Sequence, residues 1–279
     1  MTYKTILTVL DHEKSARQLT AFSMAFGSQF GAHVIGLHSE ALSTLPLVAP
    51  MEIPDPVALE AMQEMANRET LAIANCFNEA ARVEGVSAEW RNIVTALGVS
   101  GSFIDSARTA DLILAAQSEQ GAASDNRSEL ETALYESGRP VLLVPYILKE
   151  PKPIRRVMIA WNGSREAARA TFDALPFLKQ AESVEVFCVV SDRNRQMDKT
   201  VAGADIAETL ARHGVKVTVV NKGLSELDAA AHIENRLSDA SIDLLVMGAY
   251  SQKRWWEALF GGVTRTLLDS MTALTFLSR

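Results

Sequence analysis

Apolar runs of strand length alternate along this chain with longer stretches in which apolar residues return every three or four positions. Residues 3–11 (YKTILTVLD) form the first such run, and Leu19, Phe22, Phe26 and Phe30 then mark one face of a helix. Residues 32–38 (AHVIGLH) and 87–93 (SAEWRNI) read as second and third strands. Between them the pattern predicts a long helix over residues 57–84, with Met62, Met65, Ile73, Phe77 and Ala80 on one face. Later runs at 111–116 (DLILAA) and 140–145 (PVLLVP) complete the set. Strands alternating with helices imply right-handed crossovers and a parallel sheet covered on both faces.

The pattern then starts again. Residues 150–153 (EPKP) interrupt any regular element, and residues 154–162 (IRRVMIAWN) line up with residues 3–11, each an apolar run ending in Asp or Asn ahead of an amphipathic helix. Phe177 stands in the second half where Phe26 stands in the first. Residues 184–190 (VEVFCVV) and 215–221 (VKVTVVN) repeat the second and third strands, 243–248 (DLLVMG) repeats DLILAA, and 273–278 (ALTFLS) repeats PVLLVP. Two domains follow, 1–148 and 153–279, which suits a chain of 279 residues that is 48% hydrophobic.

Composition narrows the function classes. Residues 1–150 carry 10 Lys+Arg against 19 Asp+Glu and residues 151–279 carry 17 against 15, within a net charge of −7. Nucleic-acid binding rests on clustered cations, so no nucleic acid is expected, and an anionic ligand is better placed on the second half. The apolar runs fall far short of the ~20 residues that span a bilayer, and the first residues lack a secretory signal, so no membrane is expected. Cys76 and Cys188 sit within apolar helix-like and strand-like segments and read as buried free thiols, which points to a reducing cytoplasm. The five histidines show no metal-ligand spacing, so no metal is expected. Ser164 in WNGSREA lacks the flanking glycines of a nucleophile elbow and reads as a helix start. No residue set combines a placed base, a nucleophile and an oxyanion site, so the chain is read as a binding protein with no catalytic residues.

Candidate binding chemistry lies near the end of the chain. The run DLLVM breaks at Gly248, and Gly261 and Gly262 then open a helix in GGVTRTLLDSM. Glycine allows backbone N–H groups to approach a ligand, and a helix N-terminus offers unpaired donors with partial positive charge, so the stretch reads as an anion cradle. Arg254 is a phosphate partner in that reading and a surface pair with Glu257 in the bland one. Trp255 and Trp256 read as a lid or as packing.

The spacing resembles the nucleotide loop of the universal stress protein family, G-x2-G-x9-G-[S/T] after the fourth strand. Gly248, Ser251, Gly261 and Gly262 stand in register, with Ser251 in place of the second glycine and Gly262 in place of the hydroxyl residue. The tandem pattern is also similar to two-repeat members of the family, over nearly the whole chain. That resemblance implies two Rossmann-like (adenine nucleotide alpha hydrolase-like) α/β domains, each with a five-stranded parallel sheet in the order 3-2-1-4-5. The ligand crevice then lies beyond the C-terminal ends of strands 1 and 4, where the order reverses.

By resemblance, Ala160, Trp161 and Asn162 line the adenine, Asn162 replacing an Asp, keeping an acceptor oxygen and adding a donor, and Val189 contacts the base. Met247, Gly248 and Ser251 lie by the ribose and phosphates, with Arg254 beside them. Gly261, Gly262, Val263 and Thr264 wrap the terminal phosphates. The implied ligand is ATP, with Mg2+, at one site per chain. In the first half, Ala116 replaces the first glycine and Ser128 and Glu129 fall where Gly261 and Gly262 stand, so that half is read as a degenerate site in which Asp11 caps the following helix. The family's pairing of final strands between subunits implies an internal pseudo-dimer here, with a further homodimer open. The alternatives are a structural member that binds no nucleotide, a weak ATPase, and an adenosine-binding enzyme. The last is marked by an SGGxDS loop after strand 1, which LDHEKS and WNGSRE both lack.

Overall fold

The computed structural model describes residues 2–41, 56–95, 100–117, 132, 134–190, 202–223, 229–249 and 270–279. They fall into two compact units, one of Tyr3–Ala115 and one of Met1–Thr2 with Ala116–Arg279.

The first unit runs β1 (Thr5–Val9), α1 (Glu13–Phe30), β2 (His33–Ala41), α2 (Pro56–Glu84), β3 (Ala88–Thr95), α3 (Ser100–Arg108) and β4 (Leu112–Ala116). Its strands are parallel in the order β3-β2-β1-β4. Ile6, Leu7, Ile113 and Leu114 are fully buried, as strands covered on both faces require. Leu19, Phe22, Phe26 and Phe30 of α1 are all buried, as their spacing predicts.

The long helix α2 departs from the expected pattern at one end. Ile73 and Phe77 are fully buried, but Met65 is 70% exposed. A helix of 29 residues is about 43 Å long, whereas strands of five to nine residues span about 17–30 Å, so its early turns outrun the sheet they were expected to cover.

The second unit runs β5 (Val141–Val144), β6 (Arg156–Ala160), α4 (Arg165–Asp173), α5 (Leu175–Leu178), β7 (Ser183–Val190), α6 (Ala204–Arg212), β8 (Val217–Gly223), α7 (Ala229–Asp239), β9 (Leu244–Gly248) and β10 (Leu274–Ser278). The strand order is β5-β10-β9-β6-β7-β8. Strands β6 to β10 are mutually parallel in the order expected from the resemblance. β5 is the last strand of the first sequence repeat. It runs antiparallel to β10, with Leu142 opposite Phe276, so the last strands of the two halves pair with each other. Each would otherwise present a row of unpaired backbone groups. The compact units accordingly divide at Ala115 and Ala116, while Pro151 and Pro153 mark the boundary of the sequence repeat.

Both halves begin with the same clip. Asp111 Oδ2 accepts the N–H groups of Lys4 and Thr5 at 2.7 and 3.0 Å, and Asp243 Oδ2 accepts those of Arg155 and Arg156 at 2.9 and 2.8 Å. The Asp that opens both DLILAA and DLLVMG therefore ties the start of strand 1 to the start of strand 4. The helices after strand 1 differ. α1 is continuous, whereas Pro176, which has no N–H to donate, helps divide the second-half segment into α4 and α5, with Phe177 still buried.

Candidate functional site

In the second unit the strand order reverses at β6, which has β7 on one side and β9 on the other. The register sets Ala160 opposite Met247 and Phe187, and the Trp161 N–H donates to the Phe187 carbonyl at 2.9 Å. Three of the expected site residues, Ala160, Met247 and Gly248, thus meet at one place. Trp161 and Val189 are half-buried and Asn162 is exposed just beyond it. Ser251, Arg254, Gly261, Gly262, Val263 and Thr264 lie outside the described residues, as do Trp255 and Trp256.

The turn from β6 into α4 is built from short side chains that bond locally. Asn162 Oδ1 accepts the Ser164 N–H at 3.0 Å across Gly163, whose φ of +73° is the left-handed conformation that favours glycine. Ser164 is the N-cap, its Oγ accepting the Ala167 N–H at 3.1 Å, as a helix start predicts. The acceptor that the sequence assigned to a base contact at Asn162 is therefore engaged inside the turn. Asn162 Oδ1 keeps a second lone pair beyond that bond, and its amide N–H2 is a donor.

Glu166 was not singled out in the sequence, and its carboxyl is buried. Arg165 Nε donates to its Oε1 at 2.5 Å, while the Arg165 side chain stays exposed. Burial pushes the carboxyl up, but hydrogen bonds from Arg165, from its own backbone N–H and from Ser164, with the nearby guanidinium charge, outweigh burial and hold it below the usual glutamate range.

Gly248 has a mechanical role that its sequence context did not reveal. A Cβ there would stand 2.5 Å from both the Ala167 N and the Glu166 carbonyl carbon, and 2.8 Å from the Glu166 Cβ. The end of β9 is thus pressed against the first turn of α4, and only a residue without a side chain permits that approach.

The first unit has a different arrangement at the equivalent place. The N-cap position of α1 is occupied by His12, which makes no side-chain capping bond, one residue after Asp11. Instead Glu69 Oε1 of α2 accepts the Glu13 N–H at 3.3 Å, placing a carboxylate at the donor end of α1. His38 within β2 is buried, with Nδ1 2.7 Å from the Leu10 carbonyl, Nε2 3.2 Å from Thr70 Oγ1, and its ring stacked on Trp90. Since a carbonyl only accepts, Nδ1 donates, and the ring ties β1, β2 and α2 together. No periodicity signals these long-range partners.

Cys76 and Cys188 are free thiols, but only Cys188 is buried as expected, Cys76 being half-buried, and burial pushes Cys188 up to about 11. Among the described residues no group of three or more His, Cys, Asp or Glu is placed to hold a metal, and no helix is long and apolar enough to cross a membrane.

Solved structures share this architecture over its whole length. A universal stress protein from Archaeoglobus fulgidus DSM 4304 superposes with a TM-score of 0.72, covering 99% of this chain and 96% of its own at 17% identity. The fold is that of the universal stress proteins. A putative universal stress protein from Pseudomonas aeruginosa UCBPP-PA14 covers 99% of this chain and 93% of its own, at 14% identity and a TM-score of 0.63. No protein-family model and no curated protein matches the sequence. Within the universal stress protein fold, the crevice beyond β6 and β9 is the position that parallel α/β sheets use for ligands.

Proposed function

We infer that the chain is a stress-response binding or signalling module that takes an adenine nucleotide, ATP with Mg2+, in the crevice of its second half. The observation that carries this reading is the reversal of strand order at β6, where Ala160 meets Met247 and Gly248 stands at the crevice edge. The half-buried Trp161 supplies an aromatic face for a base, and the sequence places Gly261 and Gly262 in the segment that follows β9. The first half is read as scaffold, since Glu69 already sets a carboxylate against the donor end of α1 and would repel a phosphate there. The two halves act as an internal pseudo-dimer. The module works without catalysis, in the reducing cytoplasm that two free thiols suit.

The test is native mass spectrometry of the purified chain, followed by analysis of released small molecules. The reading expects one adenine nucleotide per chain. A chain that carries none and acquires none on incubation with ATP and Mg2+ contradicts it.

A further inference from the structure

The early turns of α2 stand clear of the sheet, and among residues 60–68 every described side chain but that of Ala66 is exposed. Further along, Ile73, Phe77 and Ala81 form the buried face. On the side away from them, exposed positions recur at alternating spacings of four and three: Val57, Ala61, Glu64, Arg68, Leu71 and Asn75. This is the spacing of a seam that faces another helix. Leu71 is 61% exposed on the seam, and Met65 beside it is 70% exposed. Glu64 and Arg68 form an ion pair at 3.0 Å through Oε2 and Nη2, with both side chains largely in solvent. One carboxylate oxygen and most of the guanidinium fork thus lie outside that bond.

The order of residues on the seam says which partner fits. In an antiparallel pairing centred on residue 66, position 64 lies opposite 68, 61 opposite 71 and 57 opposite 75. A second copy of the same helix then sets Glu64 against Arg68 twice, once on each side of the axis, and sets the small Ala61 against the large Leu71. A parallel pairing would instead put Glu64 against Glu64 and Arg68 against Arg68, and like charges in contact repel. We propose that two copies of the chain associate through α2 about a two-fold axis near residue 66, with Glu64 and Arg68 of each copy facing Arg68 and Glu64 of the other. From residue 57 to residue 75 the seam is about 27 Å long, a small contact, so the association is weak and depends on concentration. It is separate from the pairing of β5 with β10 inside one chain, and it does not rest on nucleotide binding.

Sedimentation of the intact chain over a concentration series reaching about 100 µM tests it. The wild type is expected to rise from the 30.4 kDa of one chain towards twice that mass. Leu71→Glu, Glu64→Arg and Arg68→Glu alter exposed positions and should leave the circular dichroism spectrum unchanged, yet each should weaken the dimer by about tenfold or more, because the two-fold makes every change count twice. The deciding arm mixes the Glu64→Arg chain with the Arg68→Glu chain. Each alone sets like charges together, whereas the mixture sets four cations against four anions and should recover the dimer, which no general loss of folding would produce. A wild type that stays at the mass of one chain throughout overturns the proposal. So does a dimer that ignores all three substitutions, which would show that the copies meet elsewhere, and so does a mixture that associates no better than its components.

Discussion

Replacing Gly248 with alanine puts a methyl carbon 2.5 Å from the Ala167 N and the Glu166 carbonyl carbon. Both neighbours are backbone, so no rotamer change relieves the contact, and the first turn of α4 must retreat by about 1 Å to reach an ordinary van der Waals distance. That turn is held by the Ser164 cap and sits on a core containing Ala167 and Ala170. Forcing an extra carbon into such a place costs about 1–3 kcal/mol, and each kcal/mol lowers the melting temperature by about 2–4 °C in a domain of this size class. Urea denaturation followed by circular dichroism gives the change directly. Gly248→Ala should shift the midpoint to lower urea with little change in slope, whereas Ala116→Gly, at the matching strand end of the first half, should not weaken a helix contact of this kind. A Gly248→Ala chain within about 0.5 kcal/mol of wild type would refute close helix packing as the reason for glycine here.

Three further outcomes follow from the same geometry. Asp243→Ala removes the acceptor for the N–H groups of Arg155 and Arg156 and should cost about 1–3 kcal/mol, with Asp243→Asn recovering part of it, both read from urea midpoints. Glu166 is held below its ordinary titration range in the folded chain, so it contributes stability above the unfolded value that is lost as pH falls through the folded one; Glu166→Gln should flatten the acid limb of a stability–pH curve, and an unchanged limb would contradict the assignment. Cys188, buried and pushed up to about 11, should resist a thiol-specific reagent at neutral pH until the chain is unfolded, and rapid labelling of the native protein would show that the strand is not closed over it.

Local periodicity made the helices and strands legible because each depends on neighbours a few residues apart. The buried face of α1 is the clearest case, and the Asp ahead of β4 and of β9 showed the repeat because it performs the same task twice. Met65 was misplaced because periodicity does not say where a helix outruns its sheet. At the site, Gly248 read as room for a ligand when its immediate need is room for α4. Asn162 read as keeping an acceptor and adding a donor; that its oxygen bonds inside the turn depends on a backbone conformation at Gly163 that spacing does not specify. Glu69 over the start of α1 was invisible for a related reason. It comes from a helix 56 residues away in sequence, and no local pattern announces a partner at that distance.

Nucleotide binding by the second half is tested most directly by calorimetric titration of the intact chain with ATP and Mg2+, alongside Gly262→Asp. The account predicts one site per chain in the wild type and loss of binding in the variant, with its circular dichroism spectrum unchanged, because an acidic side chain would stand where the sequence places backbone N–H groups against phosphate. A stoichiometry near two, or an affinity that survives Gly262→Asp, would contradict it.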